Sequence, residues 1–346
     1  MEKNQFMLTL TDEERTQVEK AIEPFAALST FPVKDSDFLL EIEIAKRDIP
    51  VRIAKALVDF RKNSNDYGTL LLRNLPVDAS LPPTPKDGKI CPKSTHVSEC
   101  CLLFLMSFLG QFIAYADEKD GEIIHNICPV PGQEQKQENT GSVLLEFHTE
   151  NAFHPYKPDY VGLYCLRPDH DLQAKTGTAS VRRAINRISS RVLELLRQPL
   201  YRNRLAPSFM HNGSAPLYSA PLPILTGDYF EPDLCIDFFS TEALTPVADA
   251  ALQIFKEALK QVLIQHALEP GDLIIVDNRT AAHTRSAFTP RYDGHDRWLQ
   301  RLFVVEDFRR SRKSRLDGGH ICTPVSIEFS LEGLLPLPVR ELEHMS

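Results

Sequence analysis

The spacing of apolar positions divides the chain into a helical first third and a strand-rich remainder. Thr11-Asp12-Glu13-Glu14 has the capping-box spacing, predicting a helix that stops before Pro24. Pro50 and the helically spaced Ile53, Ala54, Leu57 and Val58 predict a second. Thr69–Leu72 reads as a strand, 76–97 as a proline- and lysine-rich loop, and 98–110 as an interior helix, apolar nearly all round. From about 141 the period shortens. Strands are predicted at Ser142–Phe147 and Tyr160–Cys165, a helix at Ser189–Arg197, and a strand-like run near 234–239. An amphipathic helix at 247–267 carries Leu252, Phe255, Leu259 and Leu263, and Gly271-Asp272 turns into a buried strand ending at Asp277. The proline- and glycine-rich stretch 206–232 is too long for an idle loop and is read as a lid. Without internal repeats or a flexible linker, 1–346 is expected to be one domain. It comprises a helical flank (1–115), a β core (116–308) and a C-terminal extension (309–346).

Composition narrows the function. The 346 residues are 42% hydrophobic and 25% charged, an ordinary globular balance that excludes collagen-like and low-complexity chains. A net charge of −8, from 39 basic and 47 acidic side chains, argues against a sequence-independent nucleic-acid binder. The one basic run, Arg309 to Arg315, is read as a solvated loop. No stretch approaches the roughly 20 apolar residues of a membrane span, and Cys100–Met106 belongs to a buried helix. The N-terminus lacks a secretion-signal pattern. Seven cysteines with no zinc-knuckle spacing point to reduced thiols in a cytoplasm.

The chemistry centres on His148-Thr149-Glu150 at the end of an apolar run. On a strand, residues two apart share a face, so an imidazole and a carboxylate address one point. A ferrous facial triad needs those two ligands and a second histidine, with three positions left open. His283, after the strand ending in Val276 and a short link, is the candidate. Fourteen residues later alternation places Arg297, Leu299, Arg301, Phe303 and Val305 on one side. Two guanidiniums on an inward face need anions, either structural carboxylates or the carboxylates of small molecules. His154, His295, Cys235 and Trp298 are read as structural, and His266 as a histidine ending a helix near its negative dipole.

These residues, with Gly271–Arg279 and Phe288-Thr289-Pro290-Arg291, resemble the clavaminate synthase-like iron(II)/2-oxoglutarate-dependent oxygenases, including hydroxylases of free arginine, asparagine and lysine. The resemblance runs from about 100 to 308. It implies a double-stranded β-helix, or jelly roll, so the expected class is mainly β with flanking helices. It implies His148, Glu150 and His283 as Fe(2+) ligands, Arg297 and Thr176 as contacts of 2-oxoglutarate, and O2 as the other co-substrate. Arg301 matches the position for a substrate α-carboxylate, Glu118 that for its amino group, and Asp237 a lid-side acid for a cationic side chain. Together they imply hydroxylation of an unactivated C–H of a free basic amino acid, with release of succinate and CO2. Glu150 argues against halogenation, which needs a small residue there. L-Lysine, at C3 or C4, is expected because one acid suits a compact ammonium. L-Arginine is the alternative, with Cys235 where a second acid would grip guanidinium. A β-barrel that binds a metal or small ligand without turnover is the alternative of another class.

Overall fold

A computed structural model describes residues 6–89, 92–209 and 217–324. Cys91, part of the 206–232 stretch and the tail beyond 324 lie outside them.

Two sheets carry the site. The larger runs in the order Met7–Thr9, Thr69–Arg73, Leu273–Asp277, Tyr160–Arg167, Trp298–Val305, the last flanked also by Gln111–Phe112 and Ile124–Ile127. The smaller runs Ile264–Ala267, Lys175–Ser180, Ala281–Arg285, Leu145–His148. The mainly β, helix-flanked jelly-roll class is what the sequence led one to expect. The helical flank is real but not purely helical, since it also supplies Met7–Thr9 and Thr69–Arg73 to the larger sheet.

Side-chain alternation sorts each strand between two environments. Tyr160, Tyr164, Leu166, Trp298, Leu302 and Val304 face the helices, whereas Val161, Leu163, Cys165, Leu299, Phe303 and Val305 face the barrel interior. The helix Val97–Met106 is buried along nearly its whole length beneath the outer face. It approaches closely because residue 162 is glycine, where an added Cβ would lie 2.7 Å from the Met106 sulfur. On the smaller sheet Phe147, Ala179 and Ala282 pack outward against Ser190–Leu196 and Pro246–Val262. Its inner face is polar: His148, Thr176, Thr178, His283 and Arg285.

Several local expectations change. The first helix is capped by Thr11 with its capping box, yet continues through Pro24 to Ala26. A proline so near the helix end removes a single backbone bond and leaves little helix to disrupt. Ser36–Ala45, capped by Asp35, was not foreseen; its apolar spacing is irregular. The late amphipathic helix ends at Val262, and Ile264–Ala267 is a strand pairing with Lys175–Thr178. His266 therefore sits in a sheet, not at a helix terminus, and burial, with Arg73 nearby, lowers its pKa. The described part of 206–232 is not structureless. Leu225–Gly227 pairs with Pro232–Leu234, and bridges join Tyr201 to Leu222 and Arg204 to Tyr218. Prolines are tolerated in such short edge pairings. Residues 210–216 lie outside the described set, as does 325–346 of the expected extension.

Candidate active site

His148, Glu150 and His283 each offer a donor atom, all within 4.8 Å of one another. His148 and His283 are directly paired across adjacent antiparallel strands, with ring centroids 4.1 Å apart. Their strands explain the pairing. Glu150 arrives differently from the expected strand alternation, because the strand ends at His148 and the chain turns. Asn278 clamps that turn. Its Oδ1 accepts the Glu150 N–H at 2.7 Å, and its Nδ2 donates to the carbonyls of Glu150 and Pro158 at 3.2 and 2.8 Å. Asn151 follows in the left-handed region (φ 50°), a conformation asparagine tolerates, and donates to Glu118. His283 likewise lies mid-strand, in Ala281–Arg285, rather than beyond a link.

The donor set suits a ferrous ion. The His148 Nδ1–H donates to the Glu146 carbonyl at 2.8 Å, leaving the Nε2 lone pair for a metal. His283 Nε2 lies 3.4 Å from Glu150 Oε1. Burial, then the neighbouring His148, pushes the His283 pKa down to about 4, keeping its imidazole neutral as metal binding requires. Burial alone would raise the Glu150 pKa, but Arg301 and His283 hold it well below the carboxylate range. One imidazole–carboxylate–imidazole face with its remaining directions open to a cavity is the geometry of non-heme iron oxygenases.

The two arginines meet different fates. Arg301, fully buried, donates through one terminal nitrogen to Glu150 at 2.9 Å and through the other to Glu118 and to His125 Nδ1, while its Nε has no partner. His125 was missed in the sequence; it sits opposite Arg301 in register and donates its Nε2–H to the Glu122 carbonyl. Burial and Arg301 hold its pKa well down, so it serves as a neutral acceptor. Phe303 stacks on the guanidinium at 4.4 Å. Arg297 is equally buried yet, among the described residues, forms no salt bridge; one terminal nitrogen donates to Thr176 Oγ1 at 3.3 Å. A desolvated guanidinium without a counter-ion, beside a hydroxyl, has the donor chemistry to take a carboxylate.

A cavity of about 240 Å³ opens beside His148, Glu150 and Arg301, and is lined also by Glu118, Asn139 and Asp237 among others. Asp237 bridges His148 directly across an added edge segment, fixed because the Thr149 N–H and hydroxyl both donate to the Ile236 carbonyl. The Phe239 N–H and the Ser240 hydroxyl donate to its carboxylate at 2.9 and 2.6 Å. Glu118 is not an exposed loop acid; only 13% of its side chain is accessible. Three of the residues set aside as structural are so placed, whereas His295 is exposed. Trp298 is buried with its Nε1–H on Asn126 at 2.8 Å, His154 accepts from the Tyr156 N–H, and the half-buried Cys235 donates to the Ala152 carbonyl. A family model described as taurine catabolism dioxygenase TauD, TfdA family, matches residues 48–303.

The chain belongs to the TauD/TfdA dioxygenase family. It is 39% identical over 319 residues to an L-asparagine oxygenase of Streptomyces coelicolor, covering 92% of this chain and 95% of that one. To an L-lysine 3-hydroxylase of Catenulispora acidiphila it is 32% identical over 328 residues, covering 94% and 90%. Among solved structures, asparagine oxygenase with Fe(II), 2S,3S-3-hydroxyasparagine and succinate superposes with a TM-score of 0.88 at 38% identity, covering 93% of this chain and 100% of that one. A non-heme iron oxygenase with Fe, succinate and (3S)-hydroxy-L-Arg gives 0.80 at 28% identity, covering 91% and 99%. This family member is a 2-oxoglutarate-dependent dioxygenase that uses ferrous iron and O2, which removes the reading of a barrel without turnover. No helix among the described residues is long and apolar enough to cross a membrane.

Proposed function

We propose that this dioxygenase hydroxylates a free L-amino acid, with L-asparagine, at C3, as the substrate. His148, Glu150 and His283 would hold the iron. Arg297 and Thr176 would take the distal carboxylate of 2-oxoglutarate. When bound, iron with 2-oxoglutarate and O2 supplies the oxidant for an unactivated C–H, with succinate and CO2 as co-products.

The chain's own work is placement. Arg301, its Nε uncommitted and its terminal nitrogens braced by Glu150, Glu118 and His125, presents a fixed positive edge to an α-carboxylate. Glu118 faces the same cavity and suits an α-ammonium. The observation that carries the substrate reading is Asp237, paired across from His148 and already served by two donors. A carboxylate so capped does not require a cation, and a spare lone pair accepts an amide N–H. Asn139 lines the same cavity and supplies the donor that a carboxamide oxygen needs. Asp237 adjoins the iron-ligand candidate His148, which favours a short side chain. The solved relative that binds 3-hydroxyasparagine points the same way.

L-Lysine, expected from the sequence, is the second reading; it is favoured by the single acid at Asp237 and by the lysine 3-hydroxylase relative. The described cysteines are all free, which suits the cytoplasm as the proposed compartment. The test is incubation of the pure protein with ferrous iron, 2-oxoglutarate and each of asparagine, lysine and arginine in air, followed by succinate release and product mass. Asparagine is expected to stimulate succinate release and to gain one oxygen. Gain of oxygen by lysine alone would replace asparagine with lysine.

A further inference from the structure

Arg285 ends the strand Ala281–Arg285 on the same face as His283. Register sets it opposite Thr176 on one neighbour and Leu145 on the other, as His283 lies opposite Thr178 and His148. Two strand positions separate it from the metal donor, about 7 Å along the chain. The hydroxyl of Thr176 accepts from Arg297, so the residue that faces Arg285 in register is the one that Arg297 contacts.

Arg285 is 5% exposed. One terminal nitrogen donates to the Val143 carbonyl at 2.6 Å, its Nε has no partner, and its plane lies over the Phe288 ring at 5.2 Å. Among the described residues it forms no salt bridge, and the charged group that bears on it is Arg297, of like sign. A desolvated cation with no counter-ion is costly, and a second cation beside it raises the cost. The Val143 bond and the ring contact would be served by a neutral side chain. The charge therefore points to a visiting anion.

We propose that Arg285 is the second cation of the 2-oxoglutarate site, a positioning residue that acts with Arg297 on the distal carboxylate and favours a 2-oxo diacid over a 2-oxo monoacid. This rests on the co-substrate reading proposed above. The experiment is calorimetric titration of the full-length, Mn(2+)-loaded protein with 2-oxoglutarate and with 2-oxobutyrate, for wild type, Arg285→Lys and Arg285→Met. Wild type is expected to prefer the diacid. Arg285→Met loses about tenfold in diacid affinity, the worth of one charge-assisted contact, and little for the monoacid, while Arg285→Lys recovers most of the loss. In turnover, KM for 2-oxoglutarate rises in Arg285→Met and KM for the amino acid does not. Equal losses for both acids, or none, would overturn the proposal. Failure of wild type to bind 2-oxoglutarate would instead overturn the co-substrate reading. Should Arg285→Met not fold, Arg285→Gln, which keeps a donor for Val143, carries the same comparison.

Discussion

Replacing Asn278 tests whether the turn that delivers Glu150 is held as described. Asn278 is fully buried, and its side chain makes three hydrogen bonds, one from the Glu150 N–H and two to the carbonyls of Glu150 and Pro158. Alanine removes all three and leaves one donor and two acceptors inside the protein. At about 1–3 kcal/mol for each unsatisfied group, with carbonyls at the low end, the loss comes to roughly 3–5 kcal/mol. That is a large share of the 5–15 kcal/mol typical of a folded protein. Asn278→Asp keeps the acceptor for Glu150 but turns an oxygen toward two carbonyls, so it should be no better than alanine. Metal binding should weaken too, by about 10–100-fold, as when a group that orients a ligand is removed. Urea unfolding and Mn(2+) titration of the three proteins measure both effects. A loss under about 1 kcal/mol together with unchanged metal affinity would show that Glu150 is positioned by something other than this clamp.

Arg297→Met removes the buried guanidinium beside Thr176 and should raise KM for 2-oxoglutarate by about 100-fold while barely moving iron affinity; equal KM values would remove Arg297 from the co-substrate site. Lys93, buried against Asp78 and Glu99 at 2.7 Å each, anchors the 76–97 loop, and Lys93→Met should destabilise by about 3–5 kcal/mol in thermal or urea unfolding because two carboxylates lose their cation. Burial pushes the His154 pKa down to about 3 from 6.5, so the unfolded chain takes up a proton that the native state refuses between those values. Stability should therefore fall as pH drops from 6.5, by up to about 1.4 kcal/mol per unit from this group, and His154→Asn should flatten that limb. An identical acid limb in the variant would assign the effect to other groups.

The fold class and the candidates His148, Glu150 and His283, which converge in the structure, were legible because their signals are local. Alternation in Trp298–Val305 sorted Arg301 and Phe303 inward and Trp298 outward, and the His-x-Glu spacing survives whatever backbone carries it. What carried it was misread. Strand alternation was inferred for Glu150, whereas a turn held by Asn278, far away in sequence, does the work, and no short window contains that bond. Asn278 lay within Gly271–Arg279, part of the family resemblance, without its role being readable. His125 left a weaker trace, a polar residue in the run Ile123–Ile127, and only register shows that it faces Arg301. The helix overrun at 264–267 has a similar cause. Apolar spacing continues past Val262, but pairing with Lys175–Thr178 claims those residues for a strand.

The Glu150–Asn278 clamp joins positions 128 residues apart. During translation at roughly 5–20 residues per second, His148 and Glu150 therefore precede their brace, and His283, by about 6–25 s. A nascent chain on the ribosome in that interval owns at most two of the three donors. With the iron held as proposed, full ferrous capture, and with it any oxidising chemistry, would await synthesis of the last core strands, so products of premature termination before Ala281 should be redox-silent.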